Sequence, residues 1–175
     1  MPTPPCSPRS IPTPSPRYQA DTGHNDSVDL TADLDAPCPP ERLFATIEDL
    51  GDYPDWLEIV QRAVPAVPHP DDQGQLAWLV DLRGRLGPLA RSKRLRMVRT
   101  VCQSPTMVRF ERREHDGRQH ADWVLEGEVT TDTGATRLVM RLHYGGSFGG
   151  SMLERLLGDA IDRSRPALLA LVSTT

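Results

Sequence analysis

The residues Gly145-Gly146-Ser147-Phe148-Gly149-Gly150-Ser151 separate a strand-like segment from a helix-like one, an arrangement in which backbone N–H groups can cradle a phosphate. The spacing argues against that chemistry. A phosphate loop reads G-x-x-x-x-G-K-[ST], or G-x-G-x-x-G after the first strand of a βαβ unit. This run matches neither, and no lysine follows it. A steric role is expected instead: glycines let the chain leave a sheet edge and cross to the last helix, with Ser151 as its amino-terminal cap. An anion site at the start of that helix is the lesser alternative.

Acid–base chemistry near neutral pH calls most often on histidine, and the five histidines are poorly placed for it. His24 lies in a proline-rich stretch and His69 in a loop, while strand alternation turns His115, His120 and His143 away from the apolar side. A bulge at His143 would reverse it; without one, Glu114 and Tyr144 are the remaining acid–base candidates. No Ser-His-Asp grouping or metal-ligand spacing appears, and Cys6, Cys38 and Cys102 are too scattered for a zinc cluster. They read as reduced thiols, and no metal or cofactor is expected. The run RSKRLRMVR resembles a nucleic-acid-binding segment. On a strand, however, its charges divide between two faces and meet acidic partners across the sheet, so no nucleic acid is expected.

These residues must be positioned by recognisable elements. SVDLTADLDA, from Ser27, alternates apolar and polar residues at the period of a half-buried strand. PCPPERLFATIEDLGDYPDWLEIV then supplies prolines at a helix start, a short apolar helix and a further helical turn around Tyr53 to Leu57. Strands are expected at Val60–Val67, Gln75–Leu86, Leu89–Val101, Thr106–His115, Arg118–Thr131 and Thr136–Gly145. Met152, Leu153, Leu156, Leu157, Ala160, Ile161, Leu168 and Leu171 then recur at helical spacing.

Turn chemistry sets a register for this meander. A Gly87-Pro88 tip places Trp78 opposite Met97 and Val80 opposite Leu95; a Cys102–Pro105 loop places Met97 opposite Phe110 and Leu95 opposite Arg112. A two-residue Asp116-Gly117 turn sets Trp123 against Phe110 and Leu125 against Val108. The Asp132–Ala135 loop sets Val129 against Leu138, Gly127 against Met140, Leu125 against Leu142 and Trp123 against Tyr144. One face is then apolar. The other pairs Asp81 with Arg94, Arg96 with Glu111 and Glu126 with Arg141, while Lys93 falls opposite Glu114 on the apolar face.

The 175 residues suffice for one domain with a sizeable core, and the formal net charge of −4 draws it to neither nucleic acid nor anionic membrane. Seven of the first sixteen residues are proline, so residues 1–26 are expected to be a disordered tail ahead of a domain at 27–175. No apolar run approaches the roughly 18 residues of a membrane span, and the amino terminus lacks a signal-peptide core. The expectation is a cytoplasmic protein without stable membrane insertion.

The opening APCPPERLFATIEDLGDYPDWLEIV and the closing GGSFGGSMLERLLGDAIDRSRPALLALV resemble the START-like, or SRPBCC, superfamily, in its polyketide cyclase/dehydrase and lipid-transport branch. The resemblance runs from Ser27 to the end and implies an α+β helix-grip fold. In that fold an antiparallel sheet wraps round a long carboxy-terminal helix, with two short helices after the first strand and a cavity between sheet and helix. The apolar face would then be concave, with Trp78, Met97, Phe110, Trp123, Leu125, Met140 and Tyr144 lining a pocket, Leu157 and Ile161 approaching from the helix, and Gly127 and Gly145 supplying volume. Arg99, Arg112 and Glu114 are its polar members. A buried arginine needs a partner, so Arg112 meets either Glu114 or an anionic group on a ligand. The expected function is binding or transport of a hydrophobic small molecule, a lipid, fatty acyl or polyketide-like compound, with an anionic group possible. The alternatives are a polyketide cyclase/aromatase-type enzyme and a regulatory or toxin-like module acting through its surface.

Overall fold

The structure, a computed structural model, describes residues 27–86, 89–132, 134–146 and 150–173, with the side chains of 84–91 and 150 left aside. The proline-rich segment 1–26, and Ser147–Gly149 of the glycine run, lie outside these residues. Strand β1 (Val28–Ala36) leads into helix α1 (Pro40–Ile47) and a 3-10 helix (Leu50–Asp55). A meander follows: β2 (Val60–Pro65), β3 (Ala77–Leu86), β4 (Leu89–Gln103), β5 (Met107–Arg112), β6 (Trp123–Asp132) and β7 (Ala135–Tyr144). Helix α2 (Gly150–Ser173) closes the chain. The strands form one antiparallel sheet in the order β1-β7-β6-β5-β4-β3-β2, so β1 and β2, joined through α1, become opposite edges. The sheet curls into a half-barrel around α2, the helix-grip arrangement.

Local chemistry accounts for the helices. Pro40 sits in the first turn of α1, where its missing N–H is not needed, and Leu43, Phe44 and Ile47 present one buried face to the sheet. In α2 the buried positions Leu157, Ala160, Ser164, Leu168 and Val172 recur every three or four residues. The helix begins at Gly150, so Ser151 lies inside its first turn and not at the expected cap position.

Two hairpins have the expected register. Trp78 pairs with Met97 and Val80 with Leu95, and Trp123, Leu125, Gly127 and Val129 pair with Tyr144, Leu142, Met140 and Leu138. The two between them are displaced by two residues. Phe110 pairs with Leu125 and Arg99, not with Trp123 and Met97, and Arg112 pairs with Met97. Between β5 and β6 a ten-residue connection, 113–122, stands in place of a two-residue turn; at the β4–β5 tip, where Gln103 pairs with Met107, the shift is three, and a bulge between Arg99 and Val101 brings it back to two. Past the bulge this even displacement keeps the side chains on their faces, while Val101 at the tip, now opposite Arg109, is turned over. The apolar wall survives, but its neighbours change.

The outer face follows the same division. Arg94 meets Asp81 at 2.6 Å and Arg141 meets Glu126 at 3.2 Å, as the register predicts. Arg96 does not meet Glu111. The loop between β2 and β3 folds over it and buries it against Asp72, at 2.5 Å, with the Val67 carbonyl accepting a further bond at 3.2 Å. His115 and His120 belong to the 113–122 connection and not to strands. His143 does stand on β7, paired with Asp29 at 2.7 Å.

Candidate functional site

Beneath α2 the concave face leaves a cavity of about 110 Å³, partly enclosed and lined almost entirely by aliphatic and aromatic groups. Apolar space of similar size, about 150 Å³ in an engineered core, stays dry and accepts benzene. Six of the expected wall residues line it: Met97, Trp123, Leu125, Met140, Leu157 and Ile161. Trp78, Phe110 and Tyr144 share that face but pack as filled core. Trp78 and Phe110 meet edge to face at 5.7 Å, Phe110 meets Tyr53 at 6.3 Å, and Trp123 meets Tyr144 at 5.1 Å.

The three polar candidates lie away from the cavity lining, Arg112 and Glu114 bordering a separate groove, and all three have partners within the protein. Arg99 donates from Nη1 to the Glu48 carbonyl at 2.9 Å. It thereby satisfies an open carbonyl at the carboxy-terminal end of α1 and docks that helix on β4. Arg112 donates to Glu114 at 2.8 Å and to the Ala121 carbonyl at 3.4 Å, with His120 Nδ1 at 3.1 Å. Of the two partners expected for Arg112, Glu114 is the one present. Lys93 leaves Glu114 alone, its ammonium lying 5.4 and 5.1 Å above the Trp123 and Tyr144 rings. Burial, aided by Arg112, pushes its pKa below the ordinary lysine value.

The glycines do not enlarge the cavity. A Cβ on Gly127 would stand 2.9 Å from Ile47 Cδ1, so its missing side chain is what admits α1. At Gly145 the space is taken by Asp122, and at Gly146 a Cβ would run into the Tyr144 phenol oxygen. The expected acceptance of positive φ is not what these two positions use; close approach of Asp122 and Tyr144 is.

Val80, Leu95 and Leu142 of the expected apolar face line it too, and further lining comes from segments whose contribution was not foreseen: Leu30, Ala32 and Leu34 on β1, and Tyr53, Trp56, Leu57 and Ile59 between α1 and β2. The alternation in β1 was a usable signal; the crossing that brings 50–60 under α2 left none. Among the lining side chains, Tyr53 donates to the Ile47 carbonyl at 3.0 Å, and Ser164 to the Ile161 carbonyl at 2.7 Å. Burial drives the Tyr53 phenol far above its ordinary pKa, with Asp49 adding to the shift. Arg165 reaches the Asp33 carbonyl at the rim. No histidine lines the cavity among the described residues. The lining is thus an apolar cavity edged by Asp33, Arg141 and Arg165.

The family model for polyketide cyclase / dehydrase and lipid transport matches residues 27–172. The chain belongs to that family. Its fold is similar to a START superfamily protein from Mycobacterium smegmatis, with TM-score 0.62 and 14% identity over 82% of this chain and 96% of that one. It is also similar to the Zhui aromatase/cyclase from Streptomyces sp. R1128, with TM-score 0.59 and 13% identity over 82% and 92%. The di-domain ARO/CYC BexL gives TM-score 0.63 and 12% identity over 88% of this chain, which spans only 52% of the di-domain. At such identities the likeness is one of fold. A search of curated proteins finds no match. No helix among the described residues is long and apolar enough to cross a membrane.

Proposed function

We propose that this family member binds a small hydrophobic molecule in the cavity between α2 and the sheet. The observation that carries the reading is the lining itself. Free space in a protein core forfeits dispersion contacts, and a ligand occupying it restores them while leaving water. Burial of ligand surface contributes about 25 cal/mol per Å². Met97, Trp123, Leu125, Met140, Leu157 and Ile161 would form its contacts. Trp78, Phe110 and Tyr144 would support them from behind. Arg99, Arg112 and Glu114 are committed to internal partners, so the reading no longer includes an anionic group held by them; a polar end would sit at the Arg165 rim.

The size of the space favours one ring or a short alkyl chain. A multi-ring polyketide would require the walls to part, and with no histidine among the described lining residues, carriage or sensing is preferred over cyclisation. The test is displacement of a fluorescent hydrophobic probe together with native mass spectrometry of the purified protein. The expected result is saturable binding of one probe per chain, displaced by small apolar compounds and weakened by Trp123→Ala in a still-folded protein. A protein that takes up no probe and carries no small molecule would favour the surface-acting module.

A further inference from the structure

A second cluster lies outside this cavity and shares no lining residue with it. The loop between β2 and β3 and the 113–122 connection meet over the outer face of β4. There His69 and His115 stack with ring centroids 3.5 Å apart and planes inclined by 14°. The Asp71 carboxylate turns back toward both: its Oδ2 lies 3.5 Å from His69 Nδ1 and 3.8 Å from His115 Nδ1. All three donor atoms fall within 4.8 Å of one another.

We propose that His69, Asp71 and His115 bind a divalent first-row transition-metal ion of the zinc type. Two imidazoles and one carboxylate suit such an ion, whereas magnesium and calcium prefer oxygen alone. In tetrahedral zinc sites with bonds of about 2.0–2.1 Å, neighbouring donors stand about 3.3 Å apart. The two distances to the Asp71 carboxylate need to close by only a few tenths of an ångström, and the stacked rings must open from parallel so that both lone pairs converge. His69 Nδ1 accepts a hydrogen bond from the Asp71 N–H at 3.3 Å, so that nitrogen is unprotonated, and a bound ion would take over its lone pair from this amide.

The surroundings hold these donors in place. His115 Nε2 lies 3.3 Å from Asp72 Oδ1, which leaves Nδ1 directed at the cluster, the arrangement by which outer carboxylates orient metal-bound histidines. Asp72 is itself 1% exposed and fixed by Arg96, and its Oδ2 accepts from the His69 backbone N–H at 3.3 Å. On the open side, Asp71 and His115 border a groove that Arg112, Arg113 and Arg118 also line. A fourth coordination position is therefore accessible to water or to an anionic group. The donors are 46 residues apart in sequence at their widest, which is why their spacing carries no motif.

The test uses chelator-treated full chain titrated with Zn²⁺ by calorimetry and with Co²⁺ by visible absorption. The expected result is one ion per chain, with the intense d–d bands of tetrahedral cobalt. Asp71→Asn and His69→Asn, each with its melting temperature checked, should weaken zinc at least tenfold; His143→Asn, on a distant exposed histidine, should leave it unchanged. Zinc affinity unaltered in the first two variants, failure to bind either ion, or a cobalt spectrum dominated by thiolate charge transfer would overturn the site. Loss of zinc with retained probe binding would separate it from the apolar cavity.

Discussion

The concave face of the sheet has two halves that the same alternation of residues builds, and they end differently. Under α1 the face is filled. Ile47 reaches into the gap at Gly127, and Tyr53, Phe110 and Trp78 follow one another edge to face. Under α2 the face is left open, between the aliphatic residues of β1 and β7 and the Leu157–Leu168 side of the helix. Tyr53 stands at the division, touching Phe110 on one side and lining the cavity on the other. Apolar patterning therefore specifies which way a side chain points. Whether the space in front of it is filled depends on which helix covers it and how closely.

The largest expected effect lies in the filled half. Phe110 is fully buried, and Phe110→Ala should cost about 3–5 kcal/mol in urea unfolding, since the packed surroundings cannot collapse onto the void. Met140→Ala, which faces existing free space, should fall near the lower end of the range for such truncations, about 2 kcal/mol. Equal costs at the two positions would show that the halves are packed alike.

Next comes the contact that fills the first half. Gly127→Ala should cost about 1–3 kcal/mol by overpacking against Ile47, and the paired change Gly127→Ala with Ile47→Val should recover part of it. Absence of coupling in that double-mutant cycle would mean that α1 is not seated through Gly127.

How much of this was legible in the sequence follows from how local each determinant is. The β3–β4 and β6–β7 registers could be read because short tips join alternating strands. The β4–β5 and β5–β6 registers were displaced because the tip between Gln103 and Met107, the bulge near Thr100 and the long 113–122 connection have no strong local signature. An even displacement spares the faces, so the wall residues were legible while their neighbours, and the pairing of Arg96, were not. The division between filled and open halves was hidden for a related reason. It rests on Ile47 opposite Gly127 and on residues 50–60 crossing beneath α2, contacts between segments far apart in the chain.

A smaller change should convert the open half into a filled one. Ala32 on β1 faces the cavity. Ala32→Ile should alter stability by no more than about 1 kcal/mol, because its added methyls enter free space and need not force neighbours off their rotamers. Hydrophobic-probe affinity should fall sharply at the same time. A large loss of stability with unchanged affinity would place Ala32 outside the binding space.

The smallest effect is expected where neither half is touched. Asp81 and Arg94 pair across β3 and β4 on the outer face, at 2.6 and 2.9 Å, with Arg62 on the neighbouring β2. The hydrogen bonds from the Arg94 guanidinium, opposed by desolvation and reinforced by the charges of Arg94 and Arg62, hold the Asp81 carboxyl below the ordinary aspartate range. A lowered folded-state value means that the pair contributes fully above the ordinary range and loses its contribution as the pH falls through the folded-state value. Because both side chains meet solvent, salt should screen the pair. A carboxyl chemical-shift titration of Asp81 should therefore show a depressed midpoint that rises toward the ordinary value in Arg94→Gln, and partly so in high salt. Probe binding in the cavity should not change. An Asp81 midpoint indifferent to Arg94→Gln would break the pair, and altered probe binding would show that the outer face is coupled to the open half through the sheet.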